Sequence, residues 1–112
     1  MLNRSAVSVD QLLKWGGLYE EEGLINDAID FYEKANSSEP LENLLPLALQ
    51  EGDAFIYARV MKALGREVPA DEWIRLGKRA AELGKDAYAR SAFKRGGLET
   101  ADIAESQESQ AP

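Results

Sequence analysis

The chain has 112 residues, 45% of them hydrophobic, and a formal net charge of -7, which suits one small domain able to build a core without staples. It contains no cysteine and no histidine, which excludes disulfides, thiolate metal sites and the usual general base near neutral pH. No apolar run approaches the roughly 18 residues that a membrane span needs. Met1 to Val7 holds one arginine and no apolar stretch, so a secretory signal is not expected and a cytoplasmic location is.

Ser8, with Gln11 three residues later, reads as a capping box. The first helix then carries Leu12, Trp15 and Tyr19 as an apolar stripe and ends at Gly23, just after Glu20, Glu21 and Glu22. Asn26 is expected to cap a second helix with Ala28, Ile29, Tyr32 and Ala35 on one face. The run Asn36 to Pro40 breaks it. The third helix is expected to be short, capped by Asn43 so that Pro46 falls in its first turn, and to run to about Glu51. Asp53 caps a fourth helix through about Leu64, with Gly65 as its stop. After Val68 and Pro69, a fifth helix covers about Ala70 to Leu83 and packs through Trp73, Leu76, Ala80 and Leu83. Asp86 caps a sixth helix to about Arg95, with Ala89, Ala92 and Phe93 inward and Gly96 and Gly97 at its end. Leu98 to Glu105 leaves room for a short seventh helix capped by Thr100. Residues 106–112 are polar and low in complexity, and are expected to be disordered. No alternating β-branched stretch predicts a strand, so the expected organisation is a lead of residues 1–7, an all-α domain over 8–105 and a tail over 106–112.

Charge is unevenly spread. Residues 1–58 carry -8, residues 59–95 carry +5 and residues 96–112 carry -4. The overall sign argues against nonspecific nucleic-acid binding. The central excess of cations suits an acidic partner, including the acidic end of another copy.

The spacing Leu12-x2-Trp15-Gly16-x2-Tyr19, then Gly23, then Ala28-x3-Tyr32 and Pro40, resembles the tetratricopeptide repeat. Trp73-x2-Leu76-Gly77-x2-Ala80, Gly84 and Ala89-x3-Phe93 resembles it again, while the middle unit matches only at Gly52 and Pro69. Ala80-Ala81-Glu82-Leu83-Gly84, with Ala87, is similar to the related Sel1-type repeat. The resemblance implies an all-α, right-handed stack of antiparallel helical hairpins, about six helices, whose central first helix is truncated. In such packing Gly16 admits the partner helix, Ala28 faces it, and Tyr19 and Tyr32 fill space between hairpins. The first helix of each hairpin lines the concave side in that family, which places Leu13, Gly17, Glu20 and Glu21, then Ile74, Arg75, Lys78 and Glu82, on a partner-binding groove. Leu13 and Ile74 are its candidate apolar anchors. The carboxylate clamp that some members use has only Arg75 in place here, because Leu13, Gly17, Pro46 and Asp71 stand at its other positions.

No phosphate loop, nucleophile elbow or calcium loop appears, so no catalytic, metal or cofactor site is expected. The cations form a second candidate site, a basic patch of Arg75, Lys78 and Arg79 on the fifth helix and Arg90, Lys94 and Arg95 on the sixth. Trp73 and Phe93 read as core rather than as stacking platforms for a nucleic acid. The functions these features support are a non-catalytic module binding a protein or peptide, a homodimerising structural protein, and, third, a nucleic-acid binder through residues 59–95.

Overall fold

The structure is a computed structural model that describes residues 7–98. The expected turn at Leu98 to Glu105 and the tail over 106–112 lie outside those residues, except for Leu98 itself. The described residues form six α-helices: α1 (Val9–Glu21), α2 (Ile25–Lys34), α3 (Ser38–Gln50), α4 (Ala54–Ala63), α5 (Ala70–Glu82) and α6 (Asp86–Arg95). The fold is all-α, and no strand occurs among the described residues. The helices follow one another as three helix–turn–helix pairs, with 13 residues in each first helix and 10 in each second. Gly23, Gly52 and Gly84 make the turns within the pairs, each at a positive φ that other L-residues rarely adopt. No described helix is long and apolar enough to cross a membrane.

Two compact units divide the chain, Met1–Asn43 and Leu44–Pro112. In the first, α1 opens on Ser8, whose hydroxyl accepts from the Gln11 amide at 3.1 Å. The expected cap of α2 is corrected: Leu24 is the N-cap, makes no side-chain bond, and leaves Asn26 inside the first turn. Hydrophobic patterning and the Gly23 turn set that start. Leu12 and Gly16 of α1 and Ala28, Ile29 and Tyr32 of α2 are buried. The contact that admits α2 is Gly16 under the ring of Tyr32, where a Cβ would collide with the ring edge. The nearest group that the small residue faces is therefore an aromatic ring, and Ala28 is fully buried on the same helix as that ring.

Of the apolar stripe on α1 only Leu12 is buried, and Trp15 and Tyr19 stay 40% and 39% exposed. They gather on Phe31 of α2 instead. Tyr19 stacks on that ring at 5.1 Å between centroids, and Trp15 meets it edge-on at 5.7 Å.

In the second unit, Ala48, Ala54, Tyr57, Met61, Leu76 and Ala92 form one core cluster, with Leu45, Leu49, Ile56, Val68 and Trp73 packed against it. Ala80, Ala89 and Phe93 form another, joined by Ile74, Ala81 and Leu98. Fully burying a side chain such as Phe93, Leu76 or Val60 contributes about 1.5–3 kcal/mol. Asp53 caps α4 as its sequence suggests, its carboxylate accepting from the Ile56 amide at 3.0 Å. Asp86 does not cap α6: Lys85 is the N-cap, without a side-chain bond, and Asp86 is the first helical residue. Leu83 lies at the C-cap of α5 and is exposed rather than packed.

The largest correction concerns α3. It is not truncated, and it starts at Ser38 rather than after Asn43. Asn36, in the left-handed region at φ 53°, ends α2, and α3 begins two residues later. Pro40 is its third residue, where a missing amide costs nothing because first-turn amides have no intrahelical acceptor. Pro46 lies inside the helix, where it gives up the bond that its amide would make to the Glu42 carbonyl. The difference in spacing between the turn glycines falls in the connections between pairs: residues 35–37 join α2 to α3, and residues 64–69 join α4 to α5.

Candidate partner-binding groove

α3 ends in the second unit with unsatisfied carbonyls and no basic residue in its last turn. α5 and the turn to α6 supply the missing cations. Arg79 Nε donates to the Gln50 carbonyl at 2.6 Å, and Lys85 Nζ donates to the Glu51 carbonyl at 2.8 Å. Lys85 also lies 3.7 Å from the Glu51 carboxylate, and Arg79 pairs with Glu82 at 3.1 Å. Gly52 makes this approach possible. A Cβ there would come within 2.7 Å of the Ala80 backbone, so the turn after α3 rests directly on α5.

Beside this clamp, α3 and α5 enclose an open groove of about 380 Å³ lined by Pro46, Leu49, Gln50, Arg75, Lys78, Arg79 and Glu82. Pro46 and Leu49 supply apolar surface. Arg75, Lys78 and Arg79 supply positive charge, and Glu82 returns part of it. Arg79 is engaged by Gln50 and Glu82. Among the described residues, no carboxylate lies within ion-pair distance of Arg75 or Lys78. The groove thus offers two cations beside an apolar wall, an arrangement suited to a segment carrying carboxylates and small apolar side chains.

Another polar contact stiffens the same unit. The Tyr57 hydroxyl of α4 donates to Glu72 of α5 at 2.6 Å. Burial, the bond to Glu72 and its negative charge push the phenol up to about 12. In the first unit, Tyr32 donates to Glu20 at 2.6 Å, and burial with that bond again raises the phenol.

The groove residues expected from the sequence divide three ways. Arg75, Lys78 and Glu82 line the groove together. Ile74 turns inward, packing on the second core cluster and against Gly96, so it is no exposed anchor. Leu13, Gly17, Glu20 and Glu21 belong to the first unit. There Leu13 is half-buried, Gly17 borders open space, Glu20 accepts from Tyr32 and Glu21 is exposed. Leu49 and Gln50 were not expected as lining. Counting back from the turn glycine would have found them, because they precede Gly52 as Glu20 and Glu21 precede Gly23.

The basic patch is less uniform than its sequence suggests. Arg79 belongs to the clamp. Arg95 is held over two rings, 5.1 Å from the centroid of Trp73 and 5.5 Å from that of Phe55. Phe55 in turn meets Tyr88 edge-on at 5.2 Å. Arg90 and Lys94 remain exposed on α6. Among the described residues, no group of three or more acidic side chains could hold a metal ion. No family model matches the chain, and no curated protein or solved structure matches it.

Proposed function

We propose that this chain is a non-catalytic, tetratricopeptide-like interaction module, an adaptor or a subunit of an assembly, which takes a peptide or helix of a protein partner in the groove between α3 and α5. The observation that supports it is the open groove itself, with Arg75 and Lys78 beside Pro46 and Leu49. The recurring 13- and 10-residue helices support the repeat reading. A sequence without histidine or cysteine supports a binding role over a catalytic one. The absence of cysteine also suits a cytoplasmic setting.

A peptide array spanning acidic, mixed and basic sequences tests this reading. Acidic peptides with interspersed apolar residues should bind, and the double substitution Arg75→Glu with Lys78→Glu should weaken them at least about tenfold, a loss of about 1.4 kcal/mol. Binding that ignores both the substitution and salt would contradict the assignment.

Self-association is a second reading, favoured by the exposed face of Trp15, Leu18, Tyr19 and Leu24. Sedimentation at micromolar concentration decides it, since a monomer there excludes a stable dimer.

A further inference from the structure

The groove has a candidate occupant within the chain. The described residues end at Leu98, and residues 99–112 carry Glu99, Asp102, Glu105 and Glu108, no cation, and one large apolar side chain, Ile103, between Ala101 and Ala104. We propose that the segment 99–112 docks into the α3–α5 groove of its own chain, with carboxylates on Arg75 and Lys78 and Ile103 against Pro46 and Leu49. This rests on the groove reading above and names the chemistry that the groove accepts.

Three observations carry it. The first is charge complementarity. Neither Arg75 nor Lys78 forms an ion pair among the described residues, Glu82 offsets only part of the groove's positive charge, and the segment's acids have no cation within the segment to neutralise them. The second is the match of apolar surfaces, one branched side chain to a wall of one proline and one leucine. The third is the exit point. Leu98 packs on the cluster of Ala80, Ala89 and Phe93, its amide donating to the Phe93 carbonyl at 3.0 Å. Just before it, Gly96 abuts Ala70 and Ile74 of α5, so the chain leaves beside the helix that forms one wall.

From Ala70, Arg75 is about 7 Å and Glu82 about 18 Å along the helix at its rise of ~1.5 Å per residue. The segment, at ~3.3 Å per residue, reaches roughly 46 Å. Tethering gives it an effective concentration on the order of millimolar, an advantage that the acids of α1 and α2 on a second copy lack. A partner peptide would then bind by displacing the segment.

The absence of cysteine makes the test direct. Ser106→Cys places one spin label on the otherwise intact chain. The label should broaden the amide resonances of Leu49, Gln50, Arg75 and Lys78 at low salt. Broadening should vanish at about 1 M salt, where the Debye length is ~3 Å, and in the Arg75→Gln, Lys78→Gln double variant. Neutralising all four acids, with Glu99→Gln, Asp102→Asn, Glu105→Gln and Glu108→Gln, should raise the affinity for an array-selected peptide about tenfold.

No broadening in the groove would overturn the proposal. So would equal broadening in unlabelled, isotope-enriched chains mixed with labelled, unenriched ones, because that places the segment on a second copy. If array peptides shift the same amides while the label never reaches them, the groove reading stands and the tethered occupant falls. If neither reaches the groove, both fall.

Discussion

Glycines within α1 and α5 decide how closely the neighbouring helices approach. Gly16 lies under Tyr32, and Gly77 lies under Phe93, where a Cβ would fall 2.6 Å from the ring of a fully buried side chain. Gly77→Ala should therefore lower stability by about 1–2 kcal/mol, overpacking exceeding the gain in helix propensity. Gly17→Ala, one residue beyond Gly16, meets nothing within 4 Å and should gain up to ~1 kcal/mol. Thermal melts of the two variants should move in opposite directions. Tyr57 gives a pH signature. Its phenol ordinarily ionises near 10 and in the fold near about 12, so the folded state favours the neutral form. Its contribution is complete below pH 10 and is lost as pH rises through that window, because the unfolded chain releases the proton first. Tyr57→Phe should cost about 1 kcal/mol at neutral pH through the lost bond to Glu72. It should also flatten the alkaline fall in stability, which denaturation curves between pH 9 and 12 would measure.

At the scale of the element, α3 carries the informative departure. Pro46→Ala restores an amide to the middle of that helix and should stabilise the fold by as much as ~3 kcal/mol, raising the melting temperature. Arg79→Gln removes a cation from the C-terminal end of α3 and should cost about 0.3–1 kcal/mol. Arg75→Gln, which touches no carbonyl of α3, should leave the melt unchanged and weaken peptide binding. Five of the six helices were legible from the glycine stops and apolar spacing of the local sequence, although the caps of α2 and α6 fell two and one residues earlier than expected. α3 was not, because Pro40 and Pro46 were read as boundaries when one occupies a tolerated first turn and the other is held inside the helix by its surroundings. The likeness of the middle helix pair to the other two was hidden by a difference in side-chain volume. The eighth residues of the first helices are Gly16, Leu45 and Gly77, and those of the second helices are Tyr32, Met61 and Phe93. In the middle pair a leucine and a methionine stand where glycine and an aromatic ring stand in the other two. Searching for small residues misses this pair; counting from the turn glycine finds it.

Across the whole molecule, charge and exposed surface bear on function more than any motif does. The cations are concentrated in residues 59–95, which carry +5, so an acidic peptide held by Arg75 and Lys78 in the groove should bind more weakly as salt rises. The groove was half legible. Arg75, Lys78 and Glu82 followed from the resemblance to the tetratricopeptide pattern, whereas Ile74 turns inward, where Gly96 leaves room for it on the core side. The exposed faces of Trp15, Tyr19 and Phe55 could not be anticipated, because an aromatic at helical spacing reads as core until its neighbours are known. The most direct measurement of the central claim is an amide-resonance titration of the full chain with an array-selected acidic peptide. Among the amides of residues 7–98, the shifts expected are confined to Leu49, Gln50, Arg75, Lys78, Arg79 and Glu82, and are abolished by Arg75→Glu with Lys78→Glu. Shifts centred on Trp15, Tyr19 and Phe31, or none at those groove amides, would contradict it.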